Sequence, residues 1–127
     1  MQEVWDEVYR HAPEALQDAR LWRVSAATTM SPTVVAQNLD LGEAVTLSYA
    51  LERRQQEPVL VLCDETAARQ ACRVLSLPVT GSVGLIAEAC RAGRVDRQTA
   101  TGALRDLPGR GRLHVRVELI EAVIAAL

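Results

Sequence analysis

The sequence predicts an α/β fold in which short parallel strands alternate with amphipathic helices. The clearest strand is an apolar run at residues 59–63, bounded by Pro58 and by the acidic Asp64. A run of this length without polar alternation is typical of a strand buried on both faces, and such strands belong to parallel sheets. A helical pattern follows it, and a second short strand is predicted at residues 77–80. This alternation indicates an α/β sandwich built around a parallel sheet.

The first half of the chain contains one strongly patterned helix and several weaker elements. Apolar residues recur at helical spacing from Val4 to Ala12, and a second such stripe begins after Asp40 and ends at Arg53 and Arg54, where positive charge suits the helix dipole. The predicted elements in order are a helix at 2–12, a short strand at 21–24, a loop at 25–38 with a short helical turn near Ser31 and Pro32, and a helix at 41–54.

The second half alternates helices with short connections. Gly93 ends one helix, and Asp96 is expected to cap the next, because an Asp side chain accepts hydrogen bonds from the first turn. The predicted elements after the 59–63 strand are a helix at 67–75, a strand at 77–80, a turn at 81–84, helices at 85–91 and 97–106, a loop at 108–112, a short strand at 113–115 and a helix at 117–127.

Composition limits the classes of function. With 127 residues, 49% of them hydrophobic, the chain fits a single domain, residues 1–127, with a substantial core. The formal charge of −2 provides no global basic field, so any contact with nucleic acid has to come from a local patch. The odd number of widely spaced cysteines indicates reduced core residues, and no zinc-site spacing is present. The amphipathic start is followed by no apolar run that suits a membrane, so we expect a cytoplasmic protein.

Three acids are candidates for metal-dependent chemistry: Glu7, Glu43 and Asp64. Carboxylates hold Mg²⁺ or Mn²⁺ while leaving positions for water and phosphate oxygens. Asp64 lies where an open α/β sheet places its ligands, just beyond the carboxyl end of a strand. Two of them have a structural alternative from position alone: Asp64 suits the N-cap of the helix that follows it, and Asp40 with Glu43 has the spacing of a capping box.

Three linked stretches resemble, in order and spacing, the PIN-domain superfamily. They read LDLGEA at residues 39–44, VLCDETAAR at 61–69 and LPVTGSVG at 77–84. Together they look most like the DUF3368 branch of VapC-like proteins, which shows a D-x-G-E-A helix start, a strand followed by D-D-x-x-A-R, and a G-L-x-V-T-G-T-x-G turn. The resemblance implies a three-layer α/β/α sandwich with a short parallel sheet, bound Mg²⁺ or Mn²⁺, and RNA hydrolysis, often by a toxin that an antitoxin neutralises.

The resemblance also assigns residues. Glu43 matches the acid of the G-E-A motif and Asp64 the acid after the strand. Glu7 resembles the acid of the family's V-Y-x-E-V helix, with Asp6 as the adjacent alternative. It therefore implies that Glu7, Glu43 and Asp64 are catalytic metal ligands, and it leaves the role of Thr80 and Ser82 open. Arginine binds phosphate in a bidentate manner. The candidates for positioning the RNA backbone are therefore Arg69, Arg110 and Arg112.

The start of the sequence departs from the family pattern. Family members begin with a strand ending in an acid, then a helix, and this sequence begins after both, so we expect an N-terminally shortened PIN-like fold. A partner chain, a homodimer or a rearranged segment is then expected to cover the sheet. Two hypotheses follow: a metal-dependent endoribonuclease of the VapC-like toxin type, and a catalytically inactive PIN-like module that acts through protein binding or dimerisation.

Overall fold

The computed structural model describes residues 29–109 and 113–127. The predicted helix at 2–12 and strand at 21–24 lie outside the described residues, as do three candidate site residues, Glu7, Arg110 and Arg112. The described residues divide into two compact units, the first comprising 29–61 and 65–79 and the second 62–64, 80–109 and 113–127. That residues 1–127 form a single domain stays a prediction.

The first unit contains three helices: α1 (Pro32–Val35), α2 (Leu41–Arg53) and α3 (Thr66–Val74). Proline begins α1, a position where its missing N–H is not needed and its fixed φ suits the helix. The short turn predicted near Ser31 is confirmed by α1. The helices predicted at 41–54 and 67–75 are confirmed by α2 and α3, each within one residue at either end.

The core of the first unit is apolar, and its one buried polar side chain is satisfied. The Oγ of Ser48 accepts a hydrogen bond from the Ser31 backbone N–H at 3.2 Å, so burial leaves this hydroxyl paired. The prediction of reduced cysteines is confirmed, since none of the three forms a disulfide; Cys72 is fully buried, whereas Cys63 and Cys90 are half-buried. The buried apolar residues of this unit are Val34, Ala44, Leu47, Ala50, Val61, Ala68, Ala71, Cys72 and Leu77.

Two short strands, β1 (Val61–Leu62) and β2 (Val79–Thr80), pair in a two-stranded sheet. The Val61 N–H donates to the Pro78 carbonyl and the Cys63 N–H to the Thr80 carbonyl, each at 2.9 Å. Donor and acceptor both advance by two residues in the same direction, so the strands are parallel, as predicted. Both are shorter than the predicted runs at 59–63 and 77–80.

The expectation that the first strand is buried on both faces is wrong. Val61 is 5% exposed, whereas Leu60 and Leu62 on either side of it are 63% and 56% exposed. Burial therefore alternates along the strand, because successive side chains point to opposite faces and only one face is buried. Continuous apolar composition did not distinguish a strand covered on one face from one covered on both.

The second unit is built around three helices: α4 (Ser82–Arg91), α5 (Arg97–Asp106) and α6 (Val117–Ala125). Leu104, Ile120 and Ile124 form its buried centre. Asp96 caps α5 as predicted, with Oδ1 accepting from the Thr99 N–H at 2.6 Å. The turn predicted at 81–84 is wrong, because α4 begins at Ser82 and only Gly81 before it is extended.

The strand predicted at 113–115 is also absent from the part of the chain that the structure describes. Val115 instead packs against the helical centre formed by Leu104, Ile120 and Ile124, so its apolar character reflects packing on helices rather than pairing in a sheet.

The fold class is α/β, with parallel strands and six helices among the described residues, consistent with the predicted PIN-like α/β/α fold. In the same residues, no helix has both the length and the apolar character needed to cross a bilayer.

Candidate active site

Asp64 lies just beyond the carboxyl end of β1, two residues after Leu62, and its side chain is exposed. The carboxyl ends of parallel strands meet at one edge of a sheet, and this edge is where α/β folds place their ligands. The structure therefore puts an accessible carboxylate at the position that the sequence predicts for chemistry.

The Asp64 carboxylate is bonded to the residue that begins α4. Its Oδ1 accepts the Ser82 backbone N–H at 2.7 Å, and its Oδ2 accepts the Ser82 hydroxyl at 2.5 Å. Both oxygens are thus engaged by one residue, which restricts rotation of the carboxylate. An acid held in this way presents the remaining lone pairs of both oxygens in a fixed orientation.

The alternative interpretation of Asp64, as the N-cap of the helix that follows it, is wrong. The N-cap residue of α3 is Glu65, whose side chain makes no cap hydrogen bond. Asp64 instead satisfies a backbone N–H of α4, a helix that begins 18 residues later in the chain. This N–H is one of the four that a helix start leaves unpaired, and the positive end of the helix dipole favours the carboxylate.

Ser82 is the partner of Asp64 in the structure, and its role was left open by the sequence. The sequence nevertheless contains a signal for Ser82. It comes two residues after the end of β2, just as Asp64 comes two residues after the end of β1. Parallel strands bring such positions together, so an acid after one strand and a hydroxyl after the next are neighbours.

Glu43 lies in the first turn of α2 and is half-buried. The capping box suggested by the spacing of Asp40 and Glu43 is not formed by Asp40, whose side chain makes no cap hydrogen bond. Glu43 belongs to the first unit and Asp64 to the second.

Comparison with protein families assigns the chain to a known family. The profile of DUF3368, described as a PIN domain, matches residues 1–127. The chain belongs to this family of PIN domains. Comparison with curated proteins and with solved structures gave no match. PIN domains are in general nucleases that use divalent metal ions and bind RNA.

The donor chemistry of this PIN domain suits a hard cation. Mg²⁺ and Mn²⁺ prefer oxygen ligands and are held by one or two carboxylates together with water. Asp64 retains acceptor capacity after binding Ser82, since an ionised carboxylate has about four lone-pair sites. No group of three or more His, Cys, Asp or Glu close enough to hold a metal occurs within residues 29–109 and 113–127. Glu7, the third predicted ligand, lies outside those ranges.

Of the three arginines predicted to guide RNA, the structure describes one. Arg69 lies in the first half of α3, where it is half-buried, and its backbone N–H donates to the Glu65 carbonyl at 2.9 Å. Arg110 and Arg112 lie outside the described residues, so their role in the PIN domain stays a prediction.

Proposed function

We propose that this PIN domain is a metal-dependent endoribonuclease of the VapC-like toxin type, which hydrolyses RNA phosphodiesters in the cytoplasm and is held inactive by an antitoxin protein. The observation that carries the proposal is the exposed Asp64 at the carboxyl end of a parallel strand, with both carboxylate oxygens bonded to Ser82. The family membership of the chain supports the same class of reaction.

Asp64, Glu43 and Glu7 are the residues that we propose hold Mg²⁺ or Mn²⁺. The chemistry that such an ion supplies when bound is a more acidic water and neutralisation of the charge that develops on the phosphodiester. Asp64 contributes a fixed carboxylate, because Ser82 limits its rotation. Partners of this kind orient a metal ligand and raise metal affinity.

Arginines supply the contacts with RNA in this proposal. Phosphate contacts position the nucleic acid without reading its sequence, and the planar guanidinium binds phosphate in a bidentate manner. We assign this role to Arg69, Arg110 and Arg112. The formal charge of −2 for the whole chain means that a local basic patch, rather than the overall field, has to attract RNA.

Cleavage of single-stranded RNA by an Asp64→Asn variant tests the proposal. The amide is nearly isosteric with the carboxylate but is a poor ligand for Mn²⁺, so Mn²⁺-dependent cleavage is expected to be abolished while the circular dichroism spectrum and melting temperature change little. Glu65→Gln is the matched control, because this exposed acid is the next residue in the chain and its side chain forms no cap hydrogen bond. Equal cleavage by Asp64→Asn and wild-type protein would contradict the proposal.

The second candidate function is a catalytically inactive PIN-like module that acts through a protein partner or as a homodimer. The observation that favours it is the exposure of two leucines at β1, since Leu60, just before the strand, is 63% exposed and Leu62, within it, is 56% exposed. Large apolar side chains that are exposed to this extent mark a surface that a partner is able to cover.

Sedimentation equilibrium of wild-type protein and of Leu60→Glu Leu62→Glu tests this second function. A homodimer that covers these leucines is expected to dissociate in the double variant, since burying two carboxylates in an interface is unfavourable. A monomeric wild-type protein, or a dimer unaffected by the two substitutions, argues against a homodimer at this face.

A further inference from the structure

Gly84 is a helical glycine with an unusually close neighbour. It is the third residue of α4, and a Cβ built on it would lie 2.8 Å from the Oγ1 of Thr80. Real Cβ atoms essentially never approach another atom so closely. Any residue other than glycine at position 84 therefore requires either Thr80 or the first turn of α4 to move.

Thr80 is poorly placed to move. Its carbonyl accepts the Cys63 N–H at 2.9 Å, so its backbone is held in the strand pair. Its side chain is half-buried and branched at Cβ, which restricts rotation about χ1. The strain of a larger residue at position 84 thus falls on the first turn of α4.

That first turn contains Ser82, the partner of Asp64. The Ser82 N–H and hydroxyl lie 2.7 Å and 2.5 Å from the two carboxylate oxygens, and hydrogen bonds of this length to a charged acceptor depend steeply on distance and angle. A displacement of a few tenths of an ångström at the start of α4 is enough to weaken both.

We propose that Gly84 is a positioning residue for Asp64: its lack of a side chain lets the first turn of α4 close against Thr80, and this closure brings Ser82 to the Asp64 carboxylate. The consequence for metal binding rests on the proposed function, whereas the arrangement of the four residues does not. This assigns a role to the Thr80 to Gly84 stretch that composition and spacing left open.

The chain offers a matched control in Gly102. This glycine lies in the middle of α5, and a Cβ built on it has no atom within 4 Å. Gly84→Ala and Gly102→Ala therefore make the same chemical change inside a helix, and both gain helix propensity. Only the first introduces a steric conflict.

The amide proton of Ser82 in the metal-free protein reports the arrangement directly by ¹H–¹⁵N NMR. A short bond to a carboxylate is expected to shift this proton downfield, and Asp64→Ala provides the reference for its complete loss. Gly84→Ala is expected to move the resonance at least half of the way to that reference, and Gly102→Ala to leave it in place. An unmoved Ser82 resonance in Gly84→Ala overturns the proposal.

Removal of the opposing atom is expected to restore the arrangement. In the double variant Thr80→Ala Gly84→Ala, the new methyl group has room, so the Ser82 resonance is expected to return towards its wild-type position. The double variant also decides the matter if Gly84→Ala alone does not fold. Recovery of the fold and of the resonance supports the proposal, and failure to recover contradicts it, because the conflict is then not with Thr80.

Titration with Mn²⁺ tests whether the contact between Ser82 and Asp64 affects metal binding. Loss of a group that orients a metal ligand lowers metal affinity by about ten- to a hundredfold, and we expect a loss in this range for Gly84→Ala and less than about a twofold change for Gly102→Ala. Unchanged affinity in a variant whose Ser82 resonance has moved overturns the link to metal binding. A wild-type protein that neither binds Mn²⁺ nor cleaves RNA refutes the proposed function instead, and the NMR result then still decides the role of Gly84.

Discussion

The Asp64 carboxylate accepts both polar hydrogens of Ser82, at 2.7 Å from the backbone nitrogen and 2.5 Å from the hydroxyl oxygen. Asp64, two residues beyond one parallel strand, is thereby bonded to the first residue of the helix that follows the other strand. The backbone bond depends on the start of α4, and the hydroxyl bond depends on the identity of residue 82. These two contributions are separable by mutation.

Ser82→Ala is expected to lower Mn²⁺ affinity by about tenfold, because it removes the hydroxyl bond and keeps the backbone bond. Ser82→Thr retains a hydroxyl and is the matched control, with an expected change of less than about threefold. Isothermal titration calorimetry measures both. If alanine and threonine bind Mn²⁺ equally well, the hydroxyl does not orient Asp64.

Asp96→Ala is expected to lower the melting temperature at neutral pH by removing the cap of α5. The backbone N–H of Thr99 donates to the Asp96 carboxylate, which holds the pKa of that carboxyl below its usual range. A lowered folded-state pKa contributes stability that is present above the unfolded pKa, and this stability is lost as the pH falls through the folded value.

Thermal melts at several pH values check this expectation. The difference between wild-type protein and Asp96→Ala is expected to shrink as the pH falls below about 4, the usual range of an Asp carboxyl. Asp96→Ser keeps a neutral capping oxygen, so its stability relative to Asp96→Ala is expected to vary little with pH. A difference between wild type and Asp96→Ala that persists undiminished in acid would show that the charge of the cap is unimportant.

Ser76→Gly is expected to stabilise the protein by about 1 kcal/mol, because serine occupies a left-handed conformation that glycine adopts without a steric penalty. Ser76 has φ +56° and follows α3, where the Leu77 N–H donates to the Cys72 carbonyl and the Ser76 N–H to that of Arg73. This is the hydrogen-bond pattern of a Schellman motif, in which glycine is the usual residue at this position.

Gly93 provides the comparison for that substitution. It ends α4 with φ +72° and the same pattern, since Arg94 N–H donates to the Ala89 carbonyl and Gly93 N–H to that of Cys90. A Cβ at this position meets no atom within 4 Å, so Gly93→Ala is expected to destabilise through backbone strain alone, again by about 1 kcal/mol. Chemical denaturation measures both, and changes of the same sign in the two variants would contradict the prediction.

Glu121→Gln is expected to destabilise the second unit by weakening a bidentate ion pair. Arg105 Nε and Nη2 lie 3.1 Å from the two carboxylate oxygens of Glu121, which lowers the pKa of the Glu121 carboxyl. Both side chains are exposed, so the effect is expected to be small and to decrease with salt. A double-mutant cycle with Arg105→Met tests this expectation. The loss in free energy of unfolding caused by Glu121→Gln is expected to vanish when Arg105 is also replaced. An equal loss with and without Arg105 would show that the ion pair does not contribute to stability.

The sequence predicted the helices better than the sheet edge, for physical reasons. Periodic burial and an Asp at the right position define α5, and both follow from local residues. The prediction for Leu60 is wrong because an apolar residue is not always buried, and the prediction for Val115 is wrong because an apolar residue is able to pack on helices as well as in a sheet. The helix start at Ser82 was missed because glycines at 81 and 84 resemble a turn, although Gly84 lies in the helix where Thr80 leaves no room for a side chain.

The sequence predicted the candidate site only in part, because one of its two residues depends on strand pairing. Asp64 was found from its position after an apolar run, a local signal. Its partner Ser82 is 18 residues away, and the two meet only because β1 and β2 are parallel neighbours. Strand pairing of this kind is not contained in any single stretch of sequence, so the alternative favoured from position alone was a cap on the adjacent helix.

The central claim, that Asp64 is a metal ligand of an active PIN nuclease, is tested most directly by calorimetric titration of Mn²⁺ into wild-type protein and Asp64→Asn at the same concentration and pH. We expect stoichiometric binding by the wild-type protein and affinity at least about tenfold lower in the variant, since a carboxylate ligand has been removed. Equal binding by the two proteins, or no binding by the wild-type protein, would contradict the claim.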